Sequence, residues 1–338
     1  MLPVDSEAGY FYSRRGHVFL KSFQITALML MGFSAAQAQQ QPIYWSTTQP
    51  DCGSYKSLQL SNGNYVCEVY GIFPWFTAGA GWKTSIRTAA PNSNAIAVVY
   101  FYYDGSGKSK ALDVNYVGGS GVTSGKTNFG AALYANEPSQ LDLLGLPAEA
   151  PNYSQTDASG SIVVEFQCPD ASTCSQATAQ LIYSALPSQL WSLSIPIVWN
   201  ADLAAVWSSW GFYEKGQQNL SFVISNGANA AQTYKVTVFD SLGNTSTVVT
   251  PSIPIGGNYA QVLDTFLGAK IPDGLFKITV AGGGYSAFEA LQFNAGSATT
   301  LVVFPEGSAS LITKDSVTNA LPRLSVMDEV VPHIDRRQ

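Results

Sequence analysis

The strongest constraint on this chain is a strand and its turn, written twice. Val98-Val99-Tyr100-Phe101-Tyr102-Tyr103-Asp104-Gly105-Ser106-Gly107 is answered by Tyr234-Lys235-Val236-Thr237-Val238-Phe239-Asp240-Ser241-Leu242-Gly243. Each copy is a β-prone run closed by Asp and Gly, a hairpin signal, because Asp bonds its own backbone in a turn and Gly accepts positive φ without steric cost. At one constant offset Ser85 also meets Ser221, Ala95 meets Ala231, Asp104 meets Asp240 and Gly107 meets Gly243. Further on the offset shrinks. Leu141-Asp142 answers Leu263-Asp264, Gly160 to Val164 answers Gly274 to Ile278, and Leu181-Ile182-Tyr183 answers Leu291-Gln292-Phe293. The expectation is a tandem duplication of one all-β, antiparallel sandwich domain, since short strands recur with Gly, Asn and Pro punctuation and little helical periodicity.

The 338 residues have room for two such domains, each able to bury a core. Charged residues are only 12%, about half the usual share of roughly 25%. A net charge of -6 without a Lys/Arg cluster excludes a nucleic-acid partner, whose phosphates need clustered cations. The two histidines, His17 and His333, stand outside both repeats. A Ser-His-Asp or Cys-His site, or a His-ligated zinc, therefore cannot be built within either. No cofactor and no metal is expected.

Along the chain, Arg14, Arg15 and Lys21 precede an apolar run from Ile25 to Phe33, and Ala36-Gln37-Ala38 has the small-x-small pattern of a cleavage site. Residues 1–38 read as a secretory signal, too short in its apolar run to span a bilayer, and the protein is expected to be exported. Export suits four cysteines in the mature chain. Cys52 pairs with Cys67 across the Asn62-Gly63-Asn64 turn, and Cys168 with Cys174 across a five-residue segment. Residues 39–70 then form a disulfide-held extension, 71–185 the first sandwich, 186–306 a Trp-rich linker and the second sandwich, and 307–338 a polar tail. Leu141 to Leu146 suggests one helical turn, with Asp142 and Asp264 as caps. Ile195-Pro196-Ile197-Val198-Trp199 suggests the opening strand of the second sandwich.

Alternation places Tyr234, Val236 and Val238 on the core face and Lys235, Thr237 and Phe239 outside. By the same register Val98, Tyr100 and Tyr102 face the first core, which leaves Val99, Phe101 and Tyr103 on an outer face that needs a cover. That cover is internal, from Tyr44, Trp45 and Tyr70 or the Trp-rich linker, or it is a ligand. Flat aromatics stack on sugar rings, so Phe101 and Tyr103, with Trp75 and Trp82 bracketing Ala78-Gly79-Ala80-Gly81, are the candidate ligand-binding residues. Trp191, Trp199, Trp207 and Trp210 suggest contacts between the domains. Catalysis could come only from paired carboxylates. Asp104 and Asp240 are read as turn residues, and Glu165, Asp202, Glu214 and Glu289 have no partner visible in the sequence.

Gly79-Ala80-Gly81-Trp82-Lys83-Thr84-Ser85-Ile86, then Pro91-Asn92-Ser93, then Tyr100 to Gly107, resembles a repeat of secreted proteins from Acidobacteria and other soil bacteria. The likeness covers the first half of the first repeat, while Gly216 to Leu220 lacks the Trp-Lys-Thr. It implies an immunoglobulin-like sandwich and carries no settled activity. The expected function is an exported, non-catalytic surface, adhesion or protein-interaction module, with a polysaccharide or a cell-surface protein as partner. A carbohydrate-binding protein is the alternative, and a carboxylate glycoside hydrolase the third reading.

Overall fold

The computed structural model describes residues 43, 45–78, 82–90, 95–117, 121–135, 137–145, 158–185, 192–214, 218–267, 272–294 and 297–306, all within one compact unit, Gln41–Gln338. The expected signal (1–38), Tyr44, Trp191 and the tail from 307 lie outside the described residues. The fold is all-β. The first eleven strands are β1 (Lys56–Gln59), β2 (Tyr65–Ala78), β3 (Trp82–Ala89), β4 (Ile96–Tyr103), β5 (Leu112–Val117), β6 (Gly121–Lys126), β7 (Asn128–Leu133), β8 (Pro138–Gly145), β9 (Ala158–Cys168), β10 (Thr178–Ala185) and β11 (Ser192–Pro196). The rest are β12 (Val198–Trp199), β13 (Ala204–Tyr213), β14 (Gln218–Asn226), β15 (Tyr234–Asp240), β16 (Thr245–Val249), β17 (Asn258–Val262), β18 (Gly274–Asn294), β19 (Ser297–Thr300) and β20 (Val303–Pro305). Two short helices, α1 (Ala171–Cys174) and α2 (Leu263–Leu267), interrupt them.

Three antiparallel sheets result. The first runs β1-β2-β9-β4-β7 with β12 also on β2, and the second β11-β10-β3-β8-β5-β6. The third holds β16-β15-β18-β13-β20, with β14 and β19 also on β18 and β17 on β14. The order β2-β9-β4-β7 thus returns as β13-β18-β15-β16, and β11-β10-β3-β8 as β19-β18-β14-β17. Period-2 alternation explains the inner faces. Val98, Tyr100 and Tyr102 enter one core, and Tyr234, Val236 and Val238 enter another.

The way each half turns from one sheet to the other differs. In the first, Cys168–Cys174 and α1 separate β9 from β10, with the Asp170 side chain accepting a hydrogen bond from the Thr173 N–H at 2.8 Å. In the second, β18 crosses without a break, through Gly282, Gly283 and Gly284. A Cβ on Gly282 would lie 2.3 Å from the Tyr234 ring, so only glycine lets the strand bend over that side chain.

Several expectations change. The first disulfide, Cys52–Cys67, holds β2, which runs unbroken across residue 70, so residues 56–78 are a hairpin of the first sheet and not a separate extension. Leu141 to Gly145 is strand, not a helical turn, because Leu141 and Leu143 alternate into the core beside Ile86. Ser192 to Pro196 pairs with β10, and Val198-Trp199 with β2, so this segment finishes the first half instead of opening the second. The downstream register also slips. Tyr102 faces Ile162 and Val238 faces Ile278, so Ile162 matches Ile278, not Phe276. Ser85 faces Ile182 and Ser221 faces Leu291, so Leu291 matches Ile182, not Leu181.

The halves share a core. Leu291 is buried in the first cluster, with Phe293 and Ala298 packed against it. The first turn docks as well. Asn258 N–H donates to Gly105 O at 3.2 Å, and Ser161 Oγ to Gly256 O at 3.3 Å.

Candidate functional site

The outer face of the first sheet is where the sequence places its candidate platform. Phe101 and Tyr103 are only 8% and 3% exposed. They lie in a third apolar cluster with Tyr70, Ile72, Val99 and Val163, closed by Leu203 and Ala287 and by the flanking Val198 and Tyr285. The cover is therefore internal: Val198 and Leu203 of the Trp-rich linker supply it together with Tyr285 and Ala287 of the second half, and Tyr70 lies in the same cluster as the two rings. These two rings offer no open face to a ligand. Trp75 and Trp82 are half-buried: the Trp75 carbonyl accepts a hydrogen bond from the Tyr183 hydroxyl, and Trp82 meets Phe293 edge-on at 6.4 Å. Gly79 to Gly81, between them, lie outside the described residues.

At the margin of the covered face, Glu165 on β9 is buried, and burial beside Glu68 pushes its carboxyl up to about 8. Gln167 Nε2 donates to it at 2.8 Å, and Lys56 Nζ pairs with Glu68 at 3.3 Å. Burial, together with Glu165, pushes the Tyr103 hydroxyl up to about 12. Glu289 on β18 is buried with neither carboxylate oxygen hydrogen-bonded, and burial alone raises it to about 8. Burial thus favours the protonated form of both acids. Neither acid is open to a substrate.

The corresponding face of the second half is open. In β13, Trp207 and Tyr213 point into the core, which turns Trp210 and Phe212 outward. Register sets Leu275 beside Phe212, and Lys277 between Trp210 and Phe239. Leu275 is 65% exposed, Trp210 59%, Phe212 51%, Phe304 50% and Phe239 38%. Lys277 Nζ sits 5.3 Å from the Trp210 ring centre and pairs with Glu306 at 2.6 Å. The next rung is hydroxylated, with Thr247 and Thr237 hydrogen-bonded at 3.1 Å, then Thr279, and it ends on Ser208, which is buried. Phe304, opposite Ser208, closes the row. The face is a row of exposed rings with hydroxyls beside it and one neutralised cation. It has apolar area to bury and little charge to desolvate.

Sequence reasoning set Trp199, Trp207 and Trp210 together as contacts between the domains. Trp199 lies tilted against Phe166, ring centres 5.9 Å apart, and Trp207 is buried, its Nε1 donating to Ser286 O at 2.9 Å. Trp210 departs from that reading and faces solvent. The signal was present in the alternation of Trp207, Ser209 and Gly211 against Ser208, Trp210 and Phe212. Asp142, read as a cap, is a buried acceptor for Ser85 Oγ at 2.6 Å and pairs with Lys83 at 3.1 Å. Asp264 is the second residue of α2.

No helix of the described residues is long and apolar enough to cross a membrane. No family model matches the chain, and no curated protein matches it significantly.

Proposed function

We propose that this chain is an exported, non-catalytic binding module that works through the open face carrying Trp210, Phe212, Phe239, Leu275 and Phe304. The observation behind the reading is that face itself: aromatic side chains stay in water on a sheet whose counterpart in the same chain is fully covered. Export is supported by the leader-like segment and by two disulfides, which persist in oxidising compartments. The returning strand order and the shared Asp-Gly turn support two tandem immunoglobulin-like sandwiches descended from one. A surface or adhesion role follows, with contact made by packing and not by charge. Carbohydrate is the second reading, favoured by the hydroxyl rung of Thr247, Thr237 and Thr279 beside the rings, which offers hydrogen bonds to a sugar laid across the strands.

The test is binding of the chain from Gln39 onward to intact bacterial cells and to insoluble and soluble polysaccharides, with Trp210→Ala and Phe212→Ala run in parallel. Binding lost in both variants, with unchanged unfolding midpoints, is expected. Binding equal in all three proteins would place the contact elsewhere.

A further inference from the structure

We infer that the partner of the open face is a second copy of this chain, so that the protein pairs through the outer face of β16-β15-β18-β13-β20. The inference rests on that face being the binding surface, and it names what lies on it.

Area is the first argument. An aromatic side chain carries about 150–250 Å², so four half-open rings with Leu275, Val249 and the hydroxyl rung present roughly 700 Å². That is close to the about 800 Å² that each partner gives to a standard interface, and its apolar part alone is at the upper end of the about 300–600 Å² of the largest patch on an ordinary monomer. Charge is the second. The chain carries -6, which opposes self-association in general, yet in the middle of this face Lys277 is neutralised by Glu306, and Lys235 adds a positive charge at the far end of β15. Glu214 and Asp273 stand just past the Phe212 and Leu275 end of the strip, so the carboxylates meet at its margin and the association is expected to tighten as salt is added.

The third argument is precedent within the chain. The corresponding face of the first half is covered by a surface of the same kind of sandwich, through Leu203 and Ala287. Two outer sheet faces pack at the same spacing of about 10 Å as the two layers of one sandwich. A two-fold axis along the strands lays the Phe212 and Leu275 end on its own counterpart. Such closed two-fold pairs are the commonest oligomers. The second half does not copy the first docking set, since Thr237 and Thr279 stand where Phe101 and Val163 pack. The pairing is therefore a new contact, with its apolar strip one rung nearer the Asp240 turn, and not an extension of the internal one.

The measurement is sedimentation equilibrium of the chain from Gln39 onward, which contains the whole compact unit, from micromolar to submillimolar concentration. A mass of two chains is expected, with Leu275→Asp and Trp210→Ser each weakening association by about tenfold or more. Both side chains are exposed, so the unfolding midpoint reports that the variants remain folded. A single-chain mass throughout, or a dimer indifferent to both substitutions, overturns the inference. A monomer that binds cells or polysaccharide in a Trp210-dependent way overturns the pairing alone and leaves the binding face standing. Loss of every Trp210 and Leu275 effect removes both.

Discussion

Two faces of this molecule occupy the same place in the same strand order and have opposite fates. On β4, Val99, Phe101 and Tyr103 are sealed beneath the second half of the chain. On β15, their counterparts Lys235, Thr237 and Phe239 meet water. The turns that follow differ in the same way. A Cβ on Gly107 would lie 2.1 Å from Ile255 O, while one on Gly243 would meet nothing within 4 Å. The Asp-Gly turn needs its glycine for backbone reasons in both places, with φ of 75° and 84°. Only the first has been put to use as a docking point. A hairpin motif read from sequence therefore reports local geometry faithfully and says nothing about what its outer face touches.

The comparison can be broken most severely at the sealed face. Phe101→Ala should cost about 3–5 kcal/mol in urea unfolding, as buried Phe truncations do, whereas Thr237→Ala should stay within about 0.5 kcal/mol. Equal costs would mean that the faces are not in different environments. Next comes the turn. Gly107→Ala combines a backbone clash with positive φ and should cost about 2–4 kcal/mol, against about 1 kcal/mol for Gly243→Ala, where only φ is strained.

The junction gives a pH signature. Glu289 has a folded-state value of about 8 against an ordinary 4.5, so the folded state keeps a proton that the unfolded chain has lost between these values. Its stability contribution is full below about 4.5 and is lost as pH rises toward 8, at up to about 1.4 kcal/mol per pH unit. Glu165, also raised to about 8, adds in the same direction. Glu289→Gln should flatten the fall in stability between pH 5 and 8 and raise the unfolding free energy at pH 7 by an amount on the order of 1–3 kcal/mol. An unchanged slope would show that the side chain reaches solvent. Least in stability, Trp210→Ala should move unfolding by less than about 0.5 kcal/mol while altering association.

How much of this was legible in the sequence depended on range. The register of Tyr100 and Tyr102 with Val236 and Val238 followed from period-2 alternation and a glycine turn, both local properties of the chain. The two disulfides close short loops across turns visible as Asn62-Gly63-Asn64 and Pro169-Asp170. What escaped was set by long-range pairing. Leu141-Asp142 looked like a capped helical turn because Asp followed Leu, and only Ile86, far back in sequence, makes it a strand. The matches after Asp240 slipped by one or two residues because turn lengths between strands leave no mark in a pattern of period two. Glu289 carried no signal, since a lone Glu between Ala287 and Leu291 looks like a solvated position. Trp210 could have been found by treating Trp207 to Phe212 as an alternating strand and not as an aromatic-rich linker.

Leu291 has one more consequence, and it concerns time. A chain made from its N-terminus offers the strands of the first half long before residue 291 exists, yet the first core counts Leu291 among its buried members. The early strands must wait as an incomplete layer, with Phe101 and Tyr103 not fully covered, until Ala287 and Leu291 of β18 have been made. Completion of that core is thus withheld until nearly all of the described strands have been made.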